Sequence, residues 1–293
     1  MDVRRLRLLL ELSRLGSMRA VADEFGLTTS TVSQQIAALA REAGTALLEP
    51  DGRRVRLTAA GRRLADHAVD ILAAVDAARH DLDPDAEPAG TVRVAGFASA
   101  IRRSLLPAIA DLADTHPDVR VRIEEFEPLE AFERLARDDL DLALVYDYSL
   151  APAAWPVDVE PMPLWTAEWG LGAPVGDPAL TGTAVDVVAA HAERTWITNS
   201  RNTADEEAVR VLASMAGFTP HIEHQVDSLE LVESLIANGL GVGLLPADRD
   251  RHPGVRVVPL TDPAVELRAY AVTRPGRSRW SPLRLLLDRL PRG

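Results

Sequence analysis

Residues 17–39 read SMRAVADEFGLTTSTVSQQIAAL, and this stretch decides the fold of the first part of the chain. Ser17 is suited to cap a helix that runs through Phe25, and Gly26 supplies the positive φ that ends it. Thr28 can then cap a second helix. Three apolar residues at helical spacing mark its inward face: Val32, Ile36 and Leu39. Two helices joined by a glycine turn predict a helix-turn-helix.

The outward face of the second helix carries hydroxyls and amides but almost no charge. Small polar side chains suit the base edges of a DNA major groove, whereas a face that only meets water more often carries pairs of Glu and Arg. We therefore expect Ser30, Ser33 and Gln34 to contact bases. The predicted DNA-contacting residues of this helix are Thr28, Thr29, Ser30, Ser33 and Gln34.

A β-hairpin is expected shortly after these helices, because Asp51-Gly52 is a hairpin signal. The apolar residues for the inner face of its strands are Leu48, Val55 and Leu57. The hairpin would be tipped by Arg53 and Arg54, which suit phosphate or the minor groove. With a first amphipathic helix over residues 2–15, these elements predict a winged helix-turn-helix in residues 1–58.

The charge of the chain is unevenly distributed. The formal net charge is -12, yet residues 1–63 carry 11 Arg against 7 acidic residues, and the remainder carries 21 Arg against 37. A basic head on an acidic body is expected where one end meets phosphate and the rest does not. We therefore predict double-stranded DNA as a partner.

A long helix is expected from Thr58 to about Asp83. Its apolar residues alternate steps of four and three, as in a heptad repeat: Leu64, Ala68, Ile71, Val75, Ala78 and Leu82. A helix buried in its own domain could show the same stripe, but at ~1.5 Å per residue this helix is longer than the small head needs. We therefore predict a linker over residues 59–90 that pairs two chains and ends in a polar hinge.

Strands and helices alternate from Thr91 onward, which predicts parallel sheets with crossover helices. The expected strands are 91–95, 119–124, 140–146, 167–172, 195–198, 222–226, 242–245 and 267–272. The expected helices are 101–115, 129–137, 183–191, 204–216, 229–238 and 283–290. The last strand and helix should return to the first lobe. This gives lobe I over 91–162 and 268–293, and lobe II over 163–267, with crossings near 161–164 and 263–268.

The head resembles that of LysR-type transcription regulators. The residues that carry the resemblance are Ser17, Ala20, Val21, Ala22, Leu27, Thr28, Val32, Ser33, Ile36, Leu39, Gly44, Arg53, Val55, Leu57, Thr58, Ala60 and Gly61. Ala40 stands where the family usually has Glu. Leu48 and Pro50 stand where it has an aromatic residue and an Arg, so the strength of the wing's contact with the DNA backbone stays open.

The second half resembles the LysR-type effector domain, which is similar to periplasmic binding proteins. The matching segments are 92–95, 105–107, 116–119, 141–144, 217–220 and 239–246. The resemblance implies an α/β, two-lobed effector domain over 91–293 behind an all-α winged helix-turn-helix and a linker helix. It also implies a bacterial transcription regulator that acts on a promoter inverted repeat as a dimer or, through contacts between effector domains, a tetramer.

A small-molecule effector is expected between the lobes, at the carboxyl ends of the strands. Ser99 lies just before a helix whose free amides could accept a carboxylate. The negative charges of Glu127 and Asp147 would lower the affinity of the cleft for anions, although both residues could instead pair with neighbouring arginines (102 and 103). The expected effector contacts are Ser99, Ala100, Ile101, Glu127, Pro128, Tyr146, Asp147 and Thr203. They predict a small polar metabolite with at least one carboxylate and leave open an additional cationic or hydrogen-donating group.

Catalytic motifs are missing from the sequence. It contains no Gly-x-Ser-x-Gly elbow, Walker loop or HExxH motif. His221 and His224 would point to opposite faces of a strand, which makes them a poor metal pair. The acidic runs at 124–127 and 138–141 are what a hydrolase would need, but they fit solvated helix ends and strand borders better. We predict no enzyme activity, no metal and no cofactor apart from the effector.

The chain contains no cysteine, which excludes a thiolate metal site and a cysteine-based redox sensor. The longest apolar stretch, 235–247, is shorter than the ~20 residues of a membrane helix. The apolar run at 8–10 is broken by Glu11 and lacks the cleavage site of a signal peptide, which an exported binding protein would need. These features predict a cytoplasmic protein without a membrane partner.

Overall fold

The computed structural model describes residues 1–51, 54–82, 87–156, 159–178, 181–201, 204–249 and 251–292. The first part of the chain is a helical head with a small hairpin and a long helix. Its elements are α1 (Val3–Leu15), α2 (Met18–Phe25), α3 (Thr29–Ala43), β1 (Leu48–Asp51), β2 (Arg54–Leu57) and α4 (Ala59–Leu82). The predicted helix-turn-helix and hairpin are therefore present.

Side-chain caps begin the helices of the head where the sequence predicts them. Ser17 Oγ accepts a hydrogen bond from the backbone of α2, and Thr28 Oγ1 accepts one from Thr31 N at 3.1 Å. Thr58 Oγ1 caps α4 in the same way at 3.0 Å. Gly26 ends α2 with a φ of 63°, a conformation that costs a residue with a Cβ more than it costs glycine.

The core of the head is built by one face of each helix. Its buried side chains include Leu6, Leu9, Val21, Val32, Ile36, Leu39, Leu47, Ala65, Ala68, Val69 and Leu72. The expectation for Val55 is wrong, because 39% of this residue is exposed. Val55 pairs with Pro50 near the tip of the short hairpin, beyond the reach of the core.

The second part is an α/β domain. Its first half contains β3 (Gly90–Gly96), α5 (Ala98–Ala100), a π-helical turn (Ile101–Leu105), α6 (Leu106–Thr115), β4 (Val119–Glu125), α7 (Pro128–Ala136) and β5 (Leu142–Tyr148). It continues with β6 (Glu160–Pro174), α8 (Ala184–Ala189), β7 (Thr195–Thr198), α9 (Ala204–Met215), β8 (His221–Gln225), α10 (Leu229–Ala237) and β9 (Val242–Pro246). It ends with β10 (Val255–Pro259), β11 (Val265–Thr273), a 3-10 turn (Arg277–Arg279) and α11 (Ser281–Leu287).

The strands form one sheet in the order β4-β3-β5-β11-β6-β9-β7-β8, with β10 also paired to β6. Strands β3, β4 and β5 are parallel in lobe I, and β7, β8 and β9 are parallel in lobe II, as expected. The two parallel sheets are not separate, however. Strands β6 and β11 pair antiparallel with each other and continue from one lobe into the other, so the expected crossings fall on these two strands.

Strand β6 was expected only over 167–172, whereas it spans Glu160–Pro174. The beginning of this strand could not be predicted, because it contains Pro161 and Pro163 and proline is unfavourable within strands. Strand β10 was not expected, although it lies on β6 over the full length of its five residues. Among the described residues, none of the helices combines the length and the apolarity that a membrane crossing requires.

Candidate functional site

A cleft of about 940 Å³ lies between the lobes. It is lined by residues that follow parallel strands: Phe97 after β3, Glu127 after β4, Asn199 after β7 and Val226 after β8. Tyr146 reaches it from β5 itself. Because the carboxyl ends of these strands meet here, the cleft is at the position expected for a ligand of a doubly wound sheet.

Three of the expected effector residues line this cleft, namely Ser99, Glu127 and Tyr146. The others that the structure describes are placed differently. Ala100 is fully buried and Ile101 packs against the core, so both support the start of the helix that follows β3. Pro128 is the buried first residue of α7. Thr203 lies outside the described residues.

Asp147 does not belong to the cleft. Side chains alternate along a strand, so Asp147 and its neighbour Tyr146 point to opposite faces of β5. The carboxylate of Asp147 forms a bidentate ion pair with Arg268 on β11, with both distances at 2.8 Å, and accepts a hydrogen bond from Ala153 N. The expectation that Asp147 contacts the effector is therefore wrong.

Glu127 is the most deeply buried acid of the cleft, with 6% of its surface exposed. The hydroxyl of Tyr146 donates a 3.0 Å hydrogen bond to Glu127 Oε2. Burial raises the pKa of this carboxyl to about 7, against the lowering effect of the Tyr146 hydrogen bond. The alternative pairing with Arg102 or Arg103 does not occur, since Arg103 stacks over the ring of Trp165 instead.

Asn199 joins the lobes at this point. Its side-chain Nδ2 donates a 2.9 Å hydrogen bond to the hydroxyl of Tyr146. Asn199 follows β7 of lobe II, whereas Tyr146 belongs to β5 of lobe I, so the bond crosses the cleft. We call the buried residues Glu127, Tyr146 and Asn199, together with the half-buried Asp205, the cleft floor.

Asp205 is the second acid of the cleft floor and belongs to the first turn of α9. Burial raises the pKa of its carboxyl to about 6. The nearby hydroxyl of Tyr148 has a smaller, opposite effect and lowers the pKa of Asp205. This hydroxyl forms no hydrogen bond of normal geometry with any described residue.

A more exposed network of charged side chains lies in the cleft beside the floor. Asp227 accepts hydrogen bonds from Ser200 N at 2.8 Å and from Arg201 Nε at 3.0 Å. These bonds lower the pKa of Asp227 below its ordinary value, although burial acts in the opposite direction. Arg201 also lies 3.8 Å from Glu125 and 3.5 Å from Glu130, so its guanidinium links lobe II to lobe I.

Aromatic rings form the apolar wall of the cleft. Phe97 packs edge-on against Tyr146 with ring centroids 4.7 Å apart, and Trp165 lies 6.2 Å from Phe97. Trp169 belongs to the same wall and contacts Tyr148 at 5.4 Å. Two of these rings come from β6, whose first half the sequence pattern does not show as a strand. No group of three or more His, Cys, Asp or Glu side chains suited to a metal ion occurs among the described residues.

The polar face of α3, meaning Thr28, Thr29, Ser30, Ser33 and Gln34, is exposed on the surface of the head. Thr28 Oγ1 lies 2.8 Å from Ser30 Oγ, which orders the start of this face. The adjacent Gln35 is half-buried and accepts a hydrogen bond from Arg5 Nε at 2.9 Å. Gln35 is therefore turned toward α1. Arg53 and the side chain of Arg54 lie outside the described residues.

Part of the apolar heptad stripe predicted for α4 packs against the head of its own chain. Ala68 is fully buried in the core of the head, which excludes it from contact with a second chain. Leu64, Ile71 and Val75 are only partly buried. The apolar stripe available for self-association is therefore narrower than the heptad pattern indicates.

Comparisons with known proteins agree for both parts of the chain. The family model described as "Bacterial regulatory helix-turn-helix protein, lysR family" matches residues 3–62, and the "LysR substrate binding domain" model matches residues 85–292. The transcriptional dual regulator GltC of Bacillus subtilis is 25% identical over 287 residues, covering 96% of this chain and 93% of its own length. OxyR of Escherichia coli is 28% identical over 298 residues, with coverages of 99% and 93%.

Solved structures show the same arrangement of domains. A full-length OxyR variant from Pseudomonas aeruginosa superimposes with a TM-score of 0.73 at 20% identity, covering 98% of this chain and 94% of that one. Full-length CbnR in complex with its target DNA superimposes with a TM-score of 0.55 at 21% identity, covering 99% of each chain.

Proposed function

Because this chain belongs to the LysR family of bacterial regulatory helix-turn-helix proteins, it is a DNA-binding transcription regulator and not an enzyme, and we propose that a small molecule bound in the interlobe cleft controls it. The observation that carries this proposal is the cleft itself. It is about 940 Å³ in volume, lies at the carboxyl ends of the parallel strands and has buried polar side chains at its floor.

For DNA, we propose that two heads place α3 in the major grooves of a promoter inverted repeat. Ser30, Ser33 and Gln34 would contact base edges. Thr28 and Thr29 would lie beside the backbone, together with the wing arginines 53 and 54, which suit phosphate or the minor groove. The exposure of the polar face of α3 and the DNA complex of CbnR support this arrangement.

For assembly, we propose that α4 pairs two chains through Leu64, Ile71 and Val75, and that further contacts between effector domains give a tetramer. These three side chains lie on one edge of α4 beside the face that packs in the head. A narrow apolar stripe of this kind can be completed by the same stripe of a second copy. We also propose that the protein acts in the cytoplasm, where a bacterial regulator meets its DNA.

For the effector, we propose a small polar metabolite whose carboxylate lies near Ser99 and Arg102, with no other cofactor. The helical segment after β3 begins at Ala98 without a side-chain cap, which leaves its first amides available to an anion. Arg102 is exposed and forms no ion pair with any other described residue. A thiol-based signal is excluded, because the chain has no cysteine.

The fold offers a physical route from the cleft to the head. Leu267 of β11 lines the cleft, and the same strand ends next to Arg274. Arg274 lies 3.5 Å from Asp66 on α4. A shift of the lobes on ligand binding would thus reach the helix that carries the head.

A thermal-shift screen of metabolites against the full chain tests this proposal. We expect ligands whose stabilisation disappears in Ser99→Ala, while DNA binding without ligand is retained. Ligands that bind Ser99→Ala as tightly as the unaltered chain would place the effector elsewhere.

A further inference from the structure

The cleft floor contains two buried oxygen atoms that form no hydrogen bond with the described residues, although the Tyr148 hydroxyl lies near one of them, on Asp205. Asn199 is only 5% exposed, and its Oδ1 has no hydrogen-bond partner among the described residues. The Oδ1 atom of Asp205 also has no hydrogen-bond partner among the described residues. Both residues line the cleft. A buried polar atom without a partner costs free energy, so such atoms mark places where a ligand completes the hydrogen bonding.

The hydrogen bonds of Tyr146 determine which atom of the Asn199 amide faces the cleft. A tyrosine hydroxyl has one proton, and Tyr146 donates it to Glu127 Oε2 at 3.0 Å. When Glu127 is ionised, the bond between Tyr146 and Asn199, at 2.9 Å, must therefore be donated by the amide nitrogen. This leaves the amide oxygen as the free group, and an amide oxygen can only accept.

The distribution of charge also indicates that the cleft floor lacks a positively charged partner. Among the described residues, neither Glu127 nor Asp205 forms an ion pair with an arginine, although buried carboxylates are normally paired. Three of the four arginines that line the cleft are instead paired with other acids: Arg201 with Asp227 (3.0 Å), Arg249 with Glu230 (3.3 Å) and Arg103 with Asp248 (3.9 Å). The fourth, Arg102, is exposed and forms no ion pair with Glu127 or Asp205. The floor thus has two carboxylates and a free amide oxygen without a matching cation.

The surroundings favour an organic cation over a metal ion. The rings of Phe97, Tyr146 and Trp169 line the cleft beside these acceptors, and aromatic faces attract ammonium and guanidinium groups. The described residues contain no group of three or more side chains suited to a metal ion. An aromatic wall next to carboxylates and an amide oxygen is the environment of a protonated nitrogen attached to a carbon skeleton.

We propose that the effector carries a protonated nitrogen, as an ammonium or guanidinium group, and that Glu127, Asn199 and Asp205 bind this group at the cleft floor. The inference rests on the proposed function, in which the effector occupies the interlobe cleft. With its carboxylate near Arg102, the effector is an amino compound that carries both charges. Burial raises the pKa values of Glu127 and Asp205 and outweighs the lowering effects of Tyr146 and Arg201 on Glu127 and of Tyr148 on Asp205.

Matched pairs of compounds test the proposal on the full chain. Each pair consists of an amino acid and the analogue in which a hydroxyl replaces one protonated nitrogen group, starting with L-lysine and L-arginine and continuing through the common amino acids. For L-lysine and L-arginine, the α-amino group and the side-chain nitrogen group are replaced in separate analogues. Thermal shift identifies the binders and titration calorimetry gives their affinities. We expect binders among the amino acids, and at least tenfold weaker binding of the partner that has a hydroxyl in place of the nitrogen, as loss of a charged hydrogen bond implies.

Two variants and one control then locate the nitrogen. Glu127→Gln keeps the size of the side chain and removes its charge, and should weaken binding of the amino acid at least tenfold. Asp205→Asn should act in the same direction. Glu133→Gln is the matched control, since Glu133 is exposed on α7 and is not among the residues that line the cleft. Glu127→Gln should not lower the melting temperature of the unliganded chain, so a loss of binding cannot be attributed to unfolding.

The outcomes separate this inference from the proposed function. If ligands lose affinity in Ser99→Ala but not in Glu127→Gln or Asp205→Asn, the cleft is the effector site and the nitrogen subsite is wrong. Binders confined to compounds without a protonated nitrogen would overturn the inference in the same way. Ligands that bind Ser99→Ala, Glu127→Gln and Asp205→Asn as tightly as the unaltered chain would overturn both proposals, and an absence of binders in either panel would count against both.

Discussion

The side-chain amide of Asn199 donates a 2.9 Å hydrogen bond to the hydroxyl of Tyr146, and this contact crosses the cleft from lobe II to lobe I. The Tyr146 hydroxyl in turn donates a hydrogen bond to Glu127, the N-cap residue of α7. One hydroxyl therefore joins a central strand, the start of a helix and the opposite lobe. Tyr146 also lines the cleft in which we propose that the effector binds.

Tyr146→Phe should lower the free energy of unfolding of the effector domain by about 1–3 kcal/mol, because Glu127 and Asn199 both lose a buried partner. Urea denaturation measures this change. A cycle with Asn199→Leu should show a coupling energy of about 0.5–3 kcal/mol between the two sites. Strictly additive effects would mean that the hydrogen bond across the cleft does not form in solution.

Stability should fall as the pH rises through neutrality. The folded-state pKa of Glu127 is raised to about 7 from 4.5, so its contribution to stability is fully present below 4.5 and lost as the pH rises through 7. Asp205 acts in the same direction, with a pKa of about 6. Asp227 and Arg201 also face Glu127, and their opposite charges act on its pKa in opposite directions.

Urea denaturation between about pH 5 and 8 measures this effect, and Glu127→Gln should flatten the decline. Glu133→Gln is the control and should keep the slope of the unaltered chain. The same decline in Glu127→Gln as in the unaltered chain would show that Glu127 is not the titrating group.

Gln34→Ala should reduce affinity for one base position by about 1–3 kcal/mol and relax specificity there. The adjacent Gln35 gives a matched control, because its side chain is bound to Arg5 and faces α1. Gln35→Ala should leave base preference unchanged. Binding to a set of single-base variants of one half-site measures both. Unchanged preferences in Gln34→Ala would remove Gln34 from the base-contacting residues.

Replacing Ile71 and Val75 by Glu should release monomers and abolish specific DNA binding together, because charge in the α4 stripe prevents its burial against a second chain. Sedimentation measures the first effect and a DNA titration the second. Ala59→Glu, at the exposed first residue of α4, should leave the oligomer intact. An intact oligomer in the Ile71 and Val75 variant would contradict pairing through α4.

The head and most elements of the effector domain could be predicted from local signals. Caps at Ser17 and Thr28, the turn at Gly26 and the alternation of strands and helices depend on neighbouring residues, so the sequence shows them directly. Strand β6 could not be predicted in full, because its first half is stabilised by pairing with β11 rather than by its own pattern.

The cleft was predictable in position but not in chemistry. The ends of the strands indicate where the cleft lies, and Ser99, Glu127 and Tyr146, predicted on that basis, line it. The alternation along β5 already indicates that Tyr146 and Asp147 cannot both face the cleft, and this signal could have excluded Asp147. Asn199 and Asp205 were missed, because their importance arises from partners in the other lobe that no local pattern shows.

Footprinting of the full chain on the DNA upstream of its own gene, with and without a ligand from the cleft screen, tests the central claim most directly. We predict protection of an inverted repeat that changes when the ligand is added to the unaltered chain and does not change in Ser99→Ala. An absence of sequence-specific protection would contradict the account, as would a footprint that stays the same when the cleft is saturated with ligand.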